Sequence, residues 1–341
     1  MHRLSLPVAL CLLAAGCKSG KPSGPPAAPA GAQTDVQTPT NIPANVSHGE
    51  AAVGTGASPA PISADAPARS TQHLHRVRIE VSNATIVLAP NVTYDAWTFD
   101  GKVPGPFIRV TQGDTVDFTL INKAMMPHSM DFHAAQIAPS KYYVNVMPND
   151  SIHYRYVALV PGVFLYHCGT APVAAHIANG MYGALIVDPV VPRPAAREFV
   201  LIQSEFYLDS LVPGKARSLS WDRLLSLAPD YVVFNGRAAQ YSEHPLTVKT
   251  GELLRLYVVN AGPNRFSAFH VVGGIFEKVF VDGSQHSPLE GVQTVAVPVG
   301  GASIFETRLR QAGDYPFVTH AFADATKGAV GVFRAVGGEK P

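Results

Sequence analysis

FDGKVPGPFIRVTQGDTVDFTLIN (residues 99–122) and FNGRAAQYSEHPLTVKTGELLRLYVVN (residues 234–260) share an order of features. Each opens on Phe-Asp/Asn-Gly, passes an aliphatic-x-Val pair and a Gly-acid step, continues with alternating apolar residues and closes on Asn. A second echo pairs GMYGALIV (180–187) with GAVGVFRA (328–335). Recurrence at this distance marks a duplicated unit. RVRIEV (76–81) alternates charged with aliphatic residues and TVDFTL (115–120) polar with apolar, the period of two that half-buried strands require. The intervening DGKVPGP, QGD and PGV are rich in Gly, Pro and Asp. This rhythm predicts an all-β protein of two tandem β-sandwiches. The units run over 75–190 and 198–337, with a boundary near 190–197 at the Pro-rich run DPVVPRPA. One short helix is expected, in SLSWDRLLSLA (218–228).

The chain has 341 residues, 47% hydrophobic and 15% charged, enough for two domains of ordinary globular composition. Its 26 basic and 25 acidic residues create no net field, which argues against nucleic acid as a partner. The leader MHRLSLPVALCLLAAGC (1–17) has an early Arg3, an apolar run to Leu13 and small residues ending at Cys17, the pattern of an export signal. The run is too short to span a bilayer. Because it ends at a cysteine, it predicts a lipoprotein signal, with Cys17 lipidated as the mature N-terminus. From 18 to 70 the chain is mostly Pro, Ala, Gly, Ser and Thr and reads as a disordered tether from a membrane anchor. Cys11 leaves with the signal, so Cys168 is the one thiol of the exported domains and has no internal disulfide partner.

That thiol lies in FLYHCGTAPVAAHIANGMYG (164–183), which offers Cys168, His176 and Met181 on one short loop. A thiolate, imidazoles and a weak axial thioether hold a copper that cycles between two oxidation states. The second imidazole is expected from His128 in MMPHSMDFHAA (125–135). The second copy has Ala329 opposite Met181 and no cysteine, so one half keeps the thiolate site and the other lacks it. Three histidines remain. His133 follows His128 by five residues and, in a strand, points to the opposite face. His167 precedes Cys168 and also points away from it. With His320 of FVTHAFADATKGA (317–329), they make a three-imidazole set with an open position for substrate. The His167–Cys168 peptide then links the two centres covalently.

From about residue 75 onward the chain resembles the copper-containing nitrite reductases. The resemblance rests on WTFDGKVPG (97–105), PHSMDFHAA (127–135), YHCGTAPVAAHIANGMYGALIV (166–187), YVVFNG (231–236), FHVVGGIFEKVFVDG (269–283) and VTHAFADATKGAVG (318–331). The lipoprotein leader and Ala/Pro-rich tether are similar to those of the family's outer-membrane-anchored branch. The resemblance implies two tandem cupredoxin-like Greek-key sandwiches. It implies type-1 copper ligands at His128, Cys168, His176 and Met181, fed by a small redox donor such as a cupredoxin or cytochrome c. It implies type-2 ligands at His133, His167 and His320, the last from a neighbouring subunit of a homotrimer. Asp131 and His270 match the acid pair over the type-2 copper, and Val272 the aliphatic residue shaping the nitrite pocket. The implied enzyme reduces nitrite to nitric oxide and water with one electron and two protons, and is anchored to the outer membrane facing periplasm or cell surface. Asp131, between two ligand histidines, and His270, an imidazole, are suitable proton carriers.

The chain departs from the family's usual Gly- and Ala-rich run after HAA, where it has the bulky QIAPSKYYVNVMPNDS (136–151). Two rival readings follow from the residues. A multicopper oxidase builds a trinuclear cluster from His-x-His pairs, but His73 to His75 is the only such pair here and Cys168 is followed by glycine. A copper carrier using the type-1 site alone leaves Asp131, His133, His167, His270 and His320 without a role. The histidines at 153, 244 and 286 read as surface or structural.

Overall fold

A computed structural model describes residues 60–337. The leader with Cys17, and the tether up to residue 59, lie outside the described residues. The first half contributes β1 (Leu74–Ala89), β2 (Val92–Phe99), β3 (Ile108–Thr111), β4 (Thr115–Asn122), β5 (Asp131–Phe132), β6 (Ser151–Val157), β7 (Gly162–His167) and β8 (Tyr182–Asp188). The second contributes β9 (Arg197–Phe206), β10 (Tyr231–Phe234), β11 (Leu246–Lys249), β12 (Leu254–Gly262) and β13 (Ser267–Val271). It continues through β14 (Lys278–Val281), β15 (Thr294–Val297), β16 (Ala302–Thr307), β17 (Gly313–Thr319) and β18 (Val330–Val336).

The two halves have the same strand orders. Sheets β2-β1-β4-β6 and β3-β8-β7-β5 in the first correspond to β10-β9-β12-β16 and β11-β18-β17-β13 in the second, which adds β14 and β15 at one edge of each sheet. The parallel pairing of β1 with β4 recurs between β9 and β12. The shared Phe-Asp/Asn-Gly motif has a local cause: Asp100 and Gly101 have φ of 55° and 71°, and Asn235 and Gly236 have 53° and 76°. Two consecutive left-handed residues make the tight turn whose twist matches its strands, and Asp, Asn and Gly tolerate it best.

Each half has its own apolar core, the first around Phe118, Phe132 and Tyr166 and the second around Phe234, Phe269 and Phe317. A third core lies between the halves, where Val163, Leu165 and Tyr182 meet Ile202, Tyr257 and Ile304. Buried charges flank this seam. Arg109 forks onto Asp188 and Glu198, and Arg255 onto Glu198 and Glu306, pairing each guanidinium with carboxylates as burial demands.

Two expectations need correction. Within residues 60–70, read from composition as part of the disordered tether, the chain at 64–66 docks on the fold: β10 pairs only with residues 203–206 of β9, and the open edge beside Phe199 is filled by the chain around Asp65, with Ala64 buried. Val200 donates to the Ala64 carbonyl at 2.7 Å, and the Ala66 N–H donates to Glu198 at 3.2 Å. The expected helix forms as Trp221–Leu225, but it is one of five short helices among the described residues: α1 (Pro139–Tyr142), α2 (Val173–Ala178), α3 (Trp221–Leu225), α4 (Gln240–Glu243) and α5 (Phe322–Ala325). α3 is capped by the Ser220 side chain, the cap its sequence offers. α2, inside the Cys-His-Met loop, has no side-chain cap and forms because Ala175, His176, Ile177 and Ala178 are buried.

Candidate metal centres

β7 delivers Cys168 at its end, α2 carries His176, and β8 begins just after Met181. His128 is held by paired backbone hydrogen bonds with Val146. The Cys168 sulfur lies 3.2 Å from His176 Nδ1 and 3.8 Å from His128 Nδ1, and the two Nδ1 atoms are 3.2 Å apart. These are separations of donor atoms that share one ion at roughly 2.0–2.3 Å. Met181 is fully buried and is tied to the cluster by its N–H on the His176 carbonyl and its carbonyl on the Cys168 N–H. Burial holds both imidazoles down at about 4, His128 also through its neighbour His176, so both are neutral at physiological pH and able to act as ligands. Burial also pushes the Cys168 thiol up, although the Ser129 N–H donates to its sulfur at 3.4 Å. A soft cation that replaces the thiol proton answers this cost.

Residues not singled out from sequence complete the pocket. Trp97 stands edge-on to the rings of both His128 and His176, with centroids at 5.9 and 4.8 Å. Ser129 Oγ accepts from the Gly169 N–H at 3.0 Å and lies 3.2 Å from the Thr170 hydroxyl, which donates to Asn145 at 2.9 Å. Position alone gives these roles, since Ser, Thr and Asn have many uses in loops.

The second cluster lies on the other face of the same strands. β5 pairs with β7 so that Asp131 sits opposite His167. His133 Nε2 is 3.1 Å from His167 Nε2, and Asp131 Oδ2 is 3.9 Å from the latter. His167 Nδ1 lies 2.9 Å from the Cys168 carbonyl, so its N–H donates there and Nε2 is left as the ligand atom. The two clusters, His128-Cys168-His176 and Asp131-His133-His167, are the sets of three or more convergent metal-ligand side chains among the described residues. Their donor sets suit copper: soft sulfur with imidazole in one, imidazoles beside a carboxylate in the other.

His320 belongs to neither cluster. It lies instead beside His270, with ring centroids 5.5 Å apart, on the exposed rim of the second half with Val272 and Phe322, 44% and 57% exposed. His270 Nδ1 is 2.7 Å from the Gln293 carbonyl, which fixes that N–H and leaves Nε2 outward. Within one chain the eight sequence-predicted imidazole, carboxylate and thiol positions thus form three groups: the thiolate cluster, the Asp131 cluster and the His270–His320 pair.

The second half retains the frame of the thiolate site without its ligands. The rungs Asp131–His167 and Phe132–Tyr166 correspond to His270–Val318 and Val271–Phe317, so Ser267, Thr319 and Ala329 stand where His128, Cys168 and Met181 stand. The hydrogen bonds match as well. The Ala268 N–H donates to Thr319 Oγ1 at 3.0 Å, as that of Ser129 does to Cys168, and Thr319 N–H donates to the Ala329 carbonyl at 3.2 Å, where Cys168 meets Met181 at 3.1 Å. His270 occupies the position of Asp131. His73 and His75, the His-x-His pair, both bind the Asp114 carboxylate, at 2.8 and 2.9 Å, which gives the pair a structural role away from both clusters.

Comparison with known proteins agrees with this geometry. A family profile described as Multicopper oxidase matches residues 80–191. A copper-containing nitrite reductase of Neisseria meningitidis serogroup B is 39% identical over 290 residues, covering 83% of this chain and 73% of that protein. Among solved structures, a copper nitrite reductase from Nitrosomonas europaea aligns with TM-score 0.72 and 37% identity over 77% of this chain and 94% of its own. A Cu-containing nitrite reductase from Thermus scotoductus aligns with TM-score 0.71 and 33% identity, over 77% of this chain and 62% of its own. With its two cupredoxin-like sandwiches and copper as its cofactor, the chain belongs to the copper-containing nitrite reductase family of oxidoreductases.

Proposed function

We propose that the protein reduces nitrite to nitric oxide and water, NO2− + e− + 2H+ → NO + H2O. The observation that carries this reading is the His167–Cys168 peptide, which joins the two ligand clusters through adjacent residues. In this reading His128, Cys168, His176 and Met181 hold a type-1 copper, and His133 and His167 hold a type-2 copper with His320 of a neighbouring subunit. Copper supplies one-electron chemistry at the first site and a Lewis-acidic seat for the oxyanion at the second.

The remaining work falls to the chain's own side chains. Asp131, partly exposed beside His167, and His270, through its free Nε2, each deliver a proton to the departing oxygen. Val272 bounds the pocket next to His270. The exposed rim bearing His270, Val272, His320 and Phe322 packs against the Asp131 cluster of the next copy in a homotrimer, which completes three type-2 sites. A small redox protein feeds electrons to the type-1 side. Export under the leader and lipidation of Cys17 anchor the enzyme to the outer membrane, facing periplasm or cell surface, where it serves denitrification.

The test is to load the tether-free chain with copper, count metal and measure nitric oxide formed from nitrite with an artificial donor. About two coppers per chain with nitric oxide formation is expected. About one copper without turnover sustains the carrier reading, and about four with oxygen consumption the oxidase.

A further inference from the structure

We propose that Tyr143, in the segment where the chain departs from its family's pattern, is a positioning residue for the reaction. Its hydroxyl holds the outward carbonyl of Phe132 and so keeps Asp131 and His133 aimed at His167. The inference rests on the roles given above to Asp131 and His133.

β5 is two residues long and forms the edge of its sheet. Asp131 pairs across to His167, and the His133 N–H donates to the Leu165 carbonyl at 3.1 Å. In an antiparallel pair alternate residues turn their backbone groups toward the partner, so the carbonyls of Met130 and Phe132 face away from β7. Unpaired outer carbonyls leave an edge free to peel, and buried ones are costly. Met130 and Phe132 are each 1% exposed.

Both carbonyls accept from phenols, and that of Phe132 accepts from the Ala135 N–H at 2.9 Å as well. Tyr154 of β6 donates to the Met130 carbonyl at 3.3 Å, and Tyr143 donates to that of Phe132 at 3.0 Å. Tyr143 is itself fixed at the end of α1, its N–H on the Pro139 carbonyl at 2.8 Å and its ring beside that of Tyr154. The two clamps divide the strand. Tyr154 acts between His128 and Asp131, whereas Tyr143 acts between Asp131 and His133, the two residues that face the type-2 site. Burial, with the nearby Asp131 charge, pushes the Tyr143 phenol up to about 12, and its proton is committed to Phe132. It therefore positions rather than donates. The bulky run 136–151 supplies a buttress for the catalytic strand.

The test uses copper-loaded Tyr143→Phe, which removes one oxygen and keeps the ring. Loss of one neutral hydrogen bond should raise backbone amide exchange across residues 129–135 about fivefold. The type-2 electron paramagnetic resonance signal should shift while the type-1 visible band stays unchanged, and kcat should fall by at least the same factor with KM for nitrite little altered. Tyr154→Phe should disturb the type-1 band more than the type-2 signal. Exchange and type-2 signal both as in the wild type would overturn the proposal, as would raised exchange with unchanged kcat in an active enzyme. If the wild-type enzyme forms no nitric oxide, the proposed function falls, while exchange and the type-2 signal still decide the clamp.

Discussion

Replacing Cys168 by serine tests the thiolate centre, and the second half of the molecule indicates what the change should cost. Cys168 is fully buried, so a larger or charged substitute would confound folding with metal loss. Thr319, at the equivalent position, already seats an oxygen in that frame and accepts the Ala268 N–H at 3.0 Å. A serine hydroxyl at 168 should inherit the Ser129 N–H, now 3.4 Å from the sulfur, offsetting much of the lost sulfur packing. We expect metal-free Cys168→Ser to be destabilised by about 1 kcal/mol, the scale of one neutral hydrogen bond. That corresponds to an apparent melting shift of about 2–4 °C for a protein of this size class. Copper content should fall from about two to about one per chain, since three imidazoles remain for the other site. Strong visible absorption should vanish, and turnover should stop. Absorbance spectra, metal analysis and calorimetry of the metal-free protein make the comparison. Retained colour or retained second copper would refute the ligand assignment, and loss of the folded state would refute the inference from Thr319.

Asp131→Asn and His270→Leu should spare copper loading but slow nitrite turnover by about 10²-fold or more, the usual yield of a positioned acid or base; unchanged kcat would remove their proton role. His133→Ala and His320→Ala chains should each be inactive as homotrimers, yet regain activity when co-expressed, because mixed assemblies contain junctions with both ligands intact. Absence of recovery, or an active monomer by light scattering, would end the intersubunit assignment. Burial raises the Asp114 carboxyl, but hydrogen bonds from His73, the Thr111 N–H and His75 outweigh it and hold the group below the ordinary range. A carboxyl depressed on folding adds stability above its unfolded pKa of about 3.9 and loses it as pH falls through the lower folded value. Asp114→Asn should therefore be least stable relative to wild type near neutrality, with the gap closing below about pH 4 in acid titrations of unfolding; a constant gap would refute the linkage.

The clustering of the candidate ligands was legible because side chains that share an ion must obey spacing. Cys168, His176 and Met181 fall on one loop, and the parity of His128 against His133, and of His167 against Cys168, separates two faces without knowledge of the fold. The duplicated turn was legible because left-handed backbone at Asp100–Gly101 and Asn235–Gly236 restricts residue choice. What escaped depends on partners remote in sequence. The chain at 60–70 has the composition of a tether, and its stretch at 64–66 docks because β9 leaves an edge open beside Phe199. α2 lacks a cap and forms by burial. Tyr143 and Tyr154 act on backbone carbonyls, to which no residue type at the receiving position gives a clue.

Asp131 and His270 occupy one backbone address, used once in each half. If the pocket takes its carboxylate from one chain and its imidazole from the next, the contact is head-to-tail, and each copy holds the opposite ends of two different pockets. A linear row of such copies would always leave one unfinished site at each end. In that case only a closed ring would give every subunit a whole pocket, and ring closure would set the stoichiometry of catalysis as well as the shape of the assembly.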